Sequence, residues 1–321
     1  MKVVTSNKLS EEYLSGLKSK FPEITFQNAV TEEEQKKCIK DADVFYGSPS
    51  REVFLAADRL QWIQNPGTGI DKLTSIPELV SSDVVLTNAR GPHAAPMADH
   101  VMGMVLDFAH RARDLWEDQR AHRWISETDR PQITDMMIGL GGRTMGILSL
   151  GDIGQAIARR AHAFDMEVYG VDVHAMSAPS GVKEVWGIEK LDDLIRISDW
   201  FVVTAPLTPE TEGLIDRRRV GLLKEGSHII IISRGGIVDE DAMLDGLRSG
   251  QISGAGVDAW AEEPLPAESP FWDMDNVLIT PHCSAYIPEM WEGRRRIFEE
   301  NLRRFLANEP FLYVCDKKSG F

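Results

Sequence analysis

Between residues 145 and 281, short and almost wholly apolar runs alternate with amphipathic segments. That alternation constrains the fold more than any other feature of the chain. The runs are Gly146–Leu150, Glu167–Val171, Trp200–Thr204, His228–Ile232, Gly254–Asp258 and Val277–Thr280. A strand that is apolar throughout is buried on both faces, which requires a parallel sheet covered by helices on each side. The intervening segments carry helical periodicity: Ile153, Ile157, Ala158 and Ala161 share one stripe. Asp239 stands as an N-cap before Glu240 and Asp241, and Gly250 as a C-terminal stop. Six strands in this pattern imply an α/β, doubly wound nucleotide-binding domain of the Rossmann kind.

The first hundred residues repeat the alternation more weakly, with short strands expected at Lys2–Val4, Ile24–Phe26, Val44–Tyr46, Trp62–Gln64 and Val84–Leu86. They imply a smaller, flavodoxin-like α/β domain. Ala94 to His110 reads as one long helix, and the tail after Tyr286 is helical to about Ala307. The chain then crosses between domains near residues 98 and 286. The expected division is a discontinuous substrate domain, 1–98 with 286–321, and a nucleotide domain, 99–285.

Composition removes several function classes. Lys and Arg number 35 against 50 Asp and Glu, a net charge of −15. Nucleic-acid binding needs clustered cations to release counterions, and anionic membranes repel such a chain. An anionic substrate would need a local cation working against this field. The three cysteines, Cys38, Cys283 and Cys315, have neither CxxC nor metal-ligand spacing, so no metal is expected. Odd cysteine number, no apolar leader and no long apolar run point to a reducing, cytoplasmic compartment.

The segment MGILSLGDIGQAIA sets a glycine-containing turn between a strand and a helix, and Asp172 follows 18 residues after Gly154. Glycines let the backbone approach a pyrophosphate, the helix N-terminus favours its charge, and the acid accepts ribose hydroxyls. Gly151, Asp152, Ile153, Gly154 and Asp172 are therefore the candidate cofactor residues. The fingerprint has Ser149 in place of its first glycine, which a tight turn tolerates at modest strain if the φ of Ser149 is negative. Asp152 would repel the pyrophosphate unless it points to solvent. A carboxylate at 172, with no Lys or Arg after it, favours NAD over NADP.

The most specific signal lies in the C-terminal third. Arg234 follows the fourth strand of the domain, Asp258 ends the fifth, Glu263 comes five residues later, and His282 follows the sixth. All stand at carboxyl ends of strands, where open α/β sheets bind ligands. Together with NPGTGID at 65–71, GPHAAPMADHVMGMVL, APLTPETEGLID, RGGIVDEDAML, GAGVDAWAEEPLP and TPH, in that order, they make the chain resemble the D-isomer-specific 2-hydroxyacid dehydrogenases. Within that family the resemblance is glyoxylate/hydroxypyruvate reductase-like.

The resemblance implies an oxidoreductase that interconverts a small 2-oxo acid and its D-2-hydroxy acid with NADH. Arg234 would clamp the substrate carboxylate, its planar fork suiting bidentate binding. His282 would be general acid and base, with Glu263 fixing its tautomer and favouring its charged form. Thr68 and Gly69 would hold the carboxylate through backbone N–H groups. Pro206, Ile232, Ser233 and Asp258 would line the cofactor, Asp258 on the nicotinamide side. A homodimer through the nucleotide domain is implied, with its interface sought in 94–125 around Trp116 and Trp124. A second reading on the same fold is an NADH-sensing, corepressor-like binding protein. The family often has His where Thr204 stands.

Overall fold

The computed structural model describes residues 1–6, 9–129, 135–174 and 176–320. They divide into two compact units, 1–92 with 287–320 and 93–286. The long helix Ala94–His110 lies wholly in the second unit, so the first crossing falls between Pro92 and His93 rather than near residue 98.

The first unit is a five-stranded parallel sheet in the order β2-β1-β3-β4-β5, where β1 is Lys2–Thr5, β2 Thr25–Asn28, β3 Val44–Tyr46, β4 Trp62–Gln64 and β5 Val85–Thr87. This is the flavodoxin-like order. One face packs Val4, Phe45, Ile63 and Leu86 against Ile39, Leu73 and Leu79. The other packs Val3, Val44, Tyr46 and Trp62 against Leu17, Phe298 and Leu302. The last two belong to the helix Pro288–Leu306, so the chain's final segment completes the core begun by its first residues. Phe298 stacks on Tyr46 with ring centroids 4.0 Å apart. Fully buried Asn301 bonds the Gln64 side chain at 3.0 Å and both polar groups of the Leu312 backbone.

The second unit holds seven parallel strands in the order β12-β11-β10-β9-β6-β7-β8. Their ranges are β6 Thr144–Leu148, β7 Glu167–Val171, β8 Glu184–Trp186, β9 Trp200–Val203, β10 Ser227–Ile231, β11 Ile252–Val257 and β12 Val277–Ile279. The order reverses between β6 and β9, so the crevice for a nucleotide lies at their carboxyl ends. The sequence leads one to expect six strands here. The seventh, β8, is a sheet edge, exposed along one side, and has no continuous apolar run to announce it.

His228 on β10 is buried, stacked on Trp200 at 4.2 Å and tilted on Phe108. Burial, with Arg111 nearby, lowers its pKa to about 4. The folded state therefore resists a proton that the unfolded chain accepts near 6.5. Stability is complete above that pH and falls as pH drops toward 4, by about 3 kcal/mol for such a shift. His228→Phe keeps the ring and removes the titration. Acid unfolding followed by circular dichroism should then show a shallower loss between pH 6.5 and 4; an unchanged slope would exclude His228 as its source.

Candidate active site

The turn after β6 is built around a strained serine. Ser149 has φ +78, in the left-handed region and outside the negative range that would keep its strain modest. That conformation costs a non-glycine residue about 1–2 kcal/mol. The surroundings enforce it. Ser149 N–H donates to Val171 O at 2.8 Å, and Thr204 Oγ1 lies 2.7 Å from Ser149 O and 2.9 Å from Leu148 O. Thr204 thus ties the glycine turn to the end of β9 at the point where strand order reverses.

Gly154 has a packing reason to be glycine: an added Cβ would lie 2.2 Å from Ser149 O. Gly151 has none of this kind, since a Cβ there would meet nothing within 4 Å. It is the N-cap of the helix Asp152–Ala163, with no side chain capping the helix N-terminus. Open space before uncapped N–H groups suits a pyrophosphate. Asp152 is exposed and Ile153 half-buried beside it.

Asp172 does more than the sequence indicates. One carboxylate oxygen accepts from Leu150 N at 2.7 Å, the other from His174 N at 2.9 Å. It latches the turn, and the remaining lone pairs stay available to hydroxyl donors. Across the crevice, Pro206 O accepts from Thr211 Oγ1 at 2.6 Å, which shapes the segment after β9. Ile232 is buried and its N–H reaches Val203 O at 3.3 Å. Ser233 is also buried, and its hydroxyl has no hydrogen-bond partner among the described residues. These groups fit a dinucleotide: glycine-made space, free helix donors, an acid at the second strand and an orphaned hydroxyl.

The loops after β10, β11 and β12 meet side by side, because their strands are adjacent and parallel. Half-buried Arg234 donates to Ser233 O at 2.8 Å. Its neighbour Gly235 presses on the next loop, where an added Cβ would lie 1.9 Å from the Trp260 carbonyl carbon. That loop carries Glu263, whose Oε1 accepts from Trp260 N at 3.0 Å. Glu240 binds the same loop by accepting from Ala261 N at 2.8 Å, and its own burial pushes its pKa up.

Glu263 is the acid that meets His282. Nδ1 of His282 lies 2.9 and 3.0 Å from the two carboxylate oxygens, while Nε2 has no partner among the described residues. His282 itself sits at φ +51, and its N–H bonds Thr280 O at 3.0 Å.

The family resemblance implies that Asp258 stands on the nicotinamide side; its carboxylate is engaged by the loop after β12. Asp258 is fully buried and accepts from Thr280 Oγ1 at 2.5 Å, Cys283 N at 3.0 Å and Ser284 N at 3.2 Å. It clamps the loop on both sides of His282. A strand-end Asp gives no sign of its partners when they lie 22 to 26 residues away.

In the first unit, Thr68 and Gly69 occupy a loop shaped by two asparagines. Asn65 Nδ2 donates to Gly67 O and Gly69 O at 3.2 and 2.8 Å, and Asn88 Nδ2 to Thr68 O at 2.8 Å. With the carbonyls taken up, no acceptor among the described residues takes the Thr68 or Gly69 N–H. Such paired donors suit an anion.

Known proteins resemble this chain over most of its length. The model of the family described as D-isomer specific 2-hydroxyacid dehydrogenase, NAD binding domain, matches residues 102–284. A glyoxylate reductase of Thermococcus onnurineus is 31% identical, with 100% of this chain and 99% of that protein covered. A D-3-phosphoglycerate dehydrogenase of Methanocaldococcus jannaschii is 30% identical over 96% of this chain, and the chain spans only 58% of that protein's length. Among solved structures, a D-isomer specific 2-hydroxyacid dehydrogenase from Xanthobacter autotrophicus, in complex with NADPH and MES, superposes with a TM-score of 0.84. It is 29% identical, with 100% and 99% of the two chains covered. By its matched domain, its full-length relatives and its two parallel sheets, the chain belongs to the D-isomer specific 2-hydroxyacid dehydrogenase family.

Proposed function

We propose that this protein interconverts a small 2-oxo acid and its D-2-hydroxy acid, and that it prefers NADH to NADPH. The observation that carries the reading is the Glu263–His282 pair, which occupies Nδ1 and leaves Nε2 without a partner among the described residues. A bound nicotinamide cofactor would supply the hydride chemistry at the substrate's second carbon. With Nδ1–H held by the Glu263 carboxylate, the charged imidazole gives its Nε2 proton to the developing alkoxide, and the neutral ring takes it back in the reverse direction. Glu263 stabilises the charged ring and holds it in one orientation. Arg234 binds the substrate carboxylate, with Thr68 and Gly69 N–H groups as further donors. Gly151, Ile153 and Gly154 hold the pyrophosphate, with Asp152 turned to solvent. Pro206, Ile232 and Ser233 line the crevice, and Asp258 serves the nicotinamide side through the loop that it clamps. Glyoxylate, hydroxypyruvate and pyruvate are the substrates of suitable size.

Asp172 supports the cofactor preference, because a carboxylate at the ribose repels a 2′-phosphate. The NADPH complex of the Xanthobacter relative makes this a point to measure on this chain. Oxidation followed at 340 nm with each cofactor against these three acids is expected to give a higher kcat/KM for NADH. Equal or better use of NADPH would overturn the preference, and NADH binding without turnover of any 2-oxo acid would overturn the function.

A homodimer through the second unit is part of the same proposal. Trp116 and Trp124 are 52% and 92% exposed on the segment after the long helix, more apolar surface than water favours. Light scattering should give twice the 35.9 kDa chain mass; the monomer mass at micromolar concentration would contradict it.

A further inference from the structure

The loop that carries His282 is tied at a distance to a histidine the proposed reaction does not use. His100 Nε2 lies 3.1 Å from Thr280 Oγ1, and that hydroxyl lies 2.5 Å from Asp258 Oδ1. An ionised carboxylate only accepts, so the single hydroxyl proton of Thr280 points to Asp258. The hydroxyl oxygen must then accept, and His100 must carry its proton on Nε2. The result is a directed chain: His100 N–H to Thr280, Thr280 O–H to Asp258, and Asp258 to the Cys283 and Ser284 N–H groups on the far side of His282.

The fold builds this chain rather than tolerating it. His100, Met104 and Phe108 are spaced four residues apart on the helix Ala94–His110 and form one stripe over β11. Beneath them β11 has glycine at alternate positions. A Cβ at Gly254 would lie 2.9 Å from Phe108, and one at Gly256 2.7 Å from Met104 Sδ. Bare backbone at 254 and 256 lets the helix sit close to the sheet. The same register, continued by one step, sets His100 above Asp258 and Thr280. The segment at stake holds His282 at φ +51, a conformation that persists only when its surroundings impose it.

We propose that His100 is a positioning residue for His282, acting through Thr280 and Asp258. This rests on the reaction proposed above. The chain of hydrogen bonds acts as a brace on the loop that carries His282.

The test is a double-mutant cycle on the full chain. Thr280→Val keeps shape and removes the hydroxyl; it is expected to lower kcat by about tenfold or more, as small displacements of reacting groups do, with KM for NADH within about twofold. Thr280→Ser restores the hydroxyl and most of kcat. His100→Leu should lower kcat severalfold, and His100→Gln, which returns a donor near Nε2, should recover it. Combining His100→Leu with Thr280→Val should cost no more than Thr280→Val alone. Additive losses, or failure of both Ser and Gln to rescue, would overturn the proposal. The His282 imidazole resonance of protein labelled in its histidines is read in parallel. It should move in Thr280→Val and return in Thr280→Ser, and an unmoved signal would overturn the brace. If the wild type turns over no 2-oxo acid, the reaction fails, and the resonance alone then decides the positioning role.

Discussion

His282→Asn is expected to lower kcat by a factor on the order of 10²–10⁴, the range for a lost general acid. Asn is the suitable replacement for two structural reasons. It tolerates the left-handed backbone that position 282 adopts at φ +51, as few other residues do. Its side-chain amide can also donate to Glu263, so the carboxylate keeps a partner when the imidazole is gone. What Asn cannot do is gain and lose a proton at the place of Nε2. Fold and NADH binding should therefore persist while turnover falls. Steady-state rates at saturating NADH, with cofactor binding followed by fluorescence, separate the two. Turnover within a few-fold of wild type would remove His282 from the proton transfer.

Gly235→Ala is the second large effect, and it acts through packing. Its Cβ would lie 1.9 Å from the Trp260 carbonyl carbon and 2.0 Å from Ala261 N. Both are backbone atoms of a loop already tethered by Glu240 and by the Glu263 carboxylate, so neither can yield cheaply. Overpacking of this kind costs about 3 kcal/mol, which lowers Tm by roughly 10 °C in a unit of this size. The displaced loops carry Arg234 on one side and Glu263 on the other. Misplacing either group by about 1 Å costs on the order of 10²-fold in rate. Calorimetry and turnover should fall together, unlike His282→Asn, where only turnover falls. A variant with wild-type Tm and kcat would show that these two loops are not as closely packed as the structure has them.

The strands and the order of the candidate groups could be read from the chain because both depend on local rules. A strand buried on both faces must be apolar throughout, as Ile229, Ile230 and Ile231 are, so β10 stands out in any reading. Edge strand β8, with Glu184 exposed and Trp186 half-covered, obeys no such rule and went unseen. Arg234, Glu263 and His282 were legible because each follows a strand end at short spacing, and parallel strands bring their carboxyl ends to one edge.

Amino-acid order alone thus settled which residues alternate between sheet and helix, where glycine admits a close backbone approach, and which family the motifs resemble. Tertiary structure alone decided the φ of Ser149, the buried clamp made by Asp258, and the meeting of His100 with Thr280 across 180 residues. The physical reason is range. Periodicity and turn chemistry act over a few residues and leave a local trace. A hydrogen bond between distant segments depends on the register in which helix and sheet pack, and that register exists only once the chain has folded.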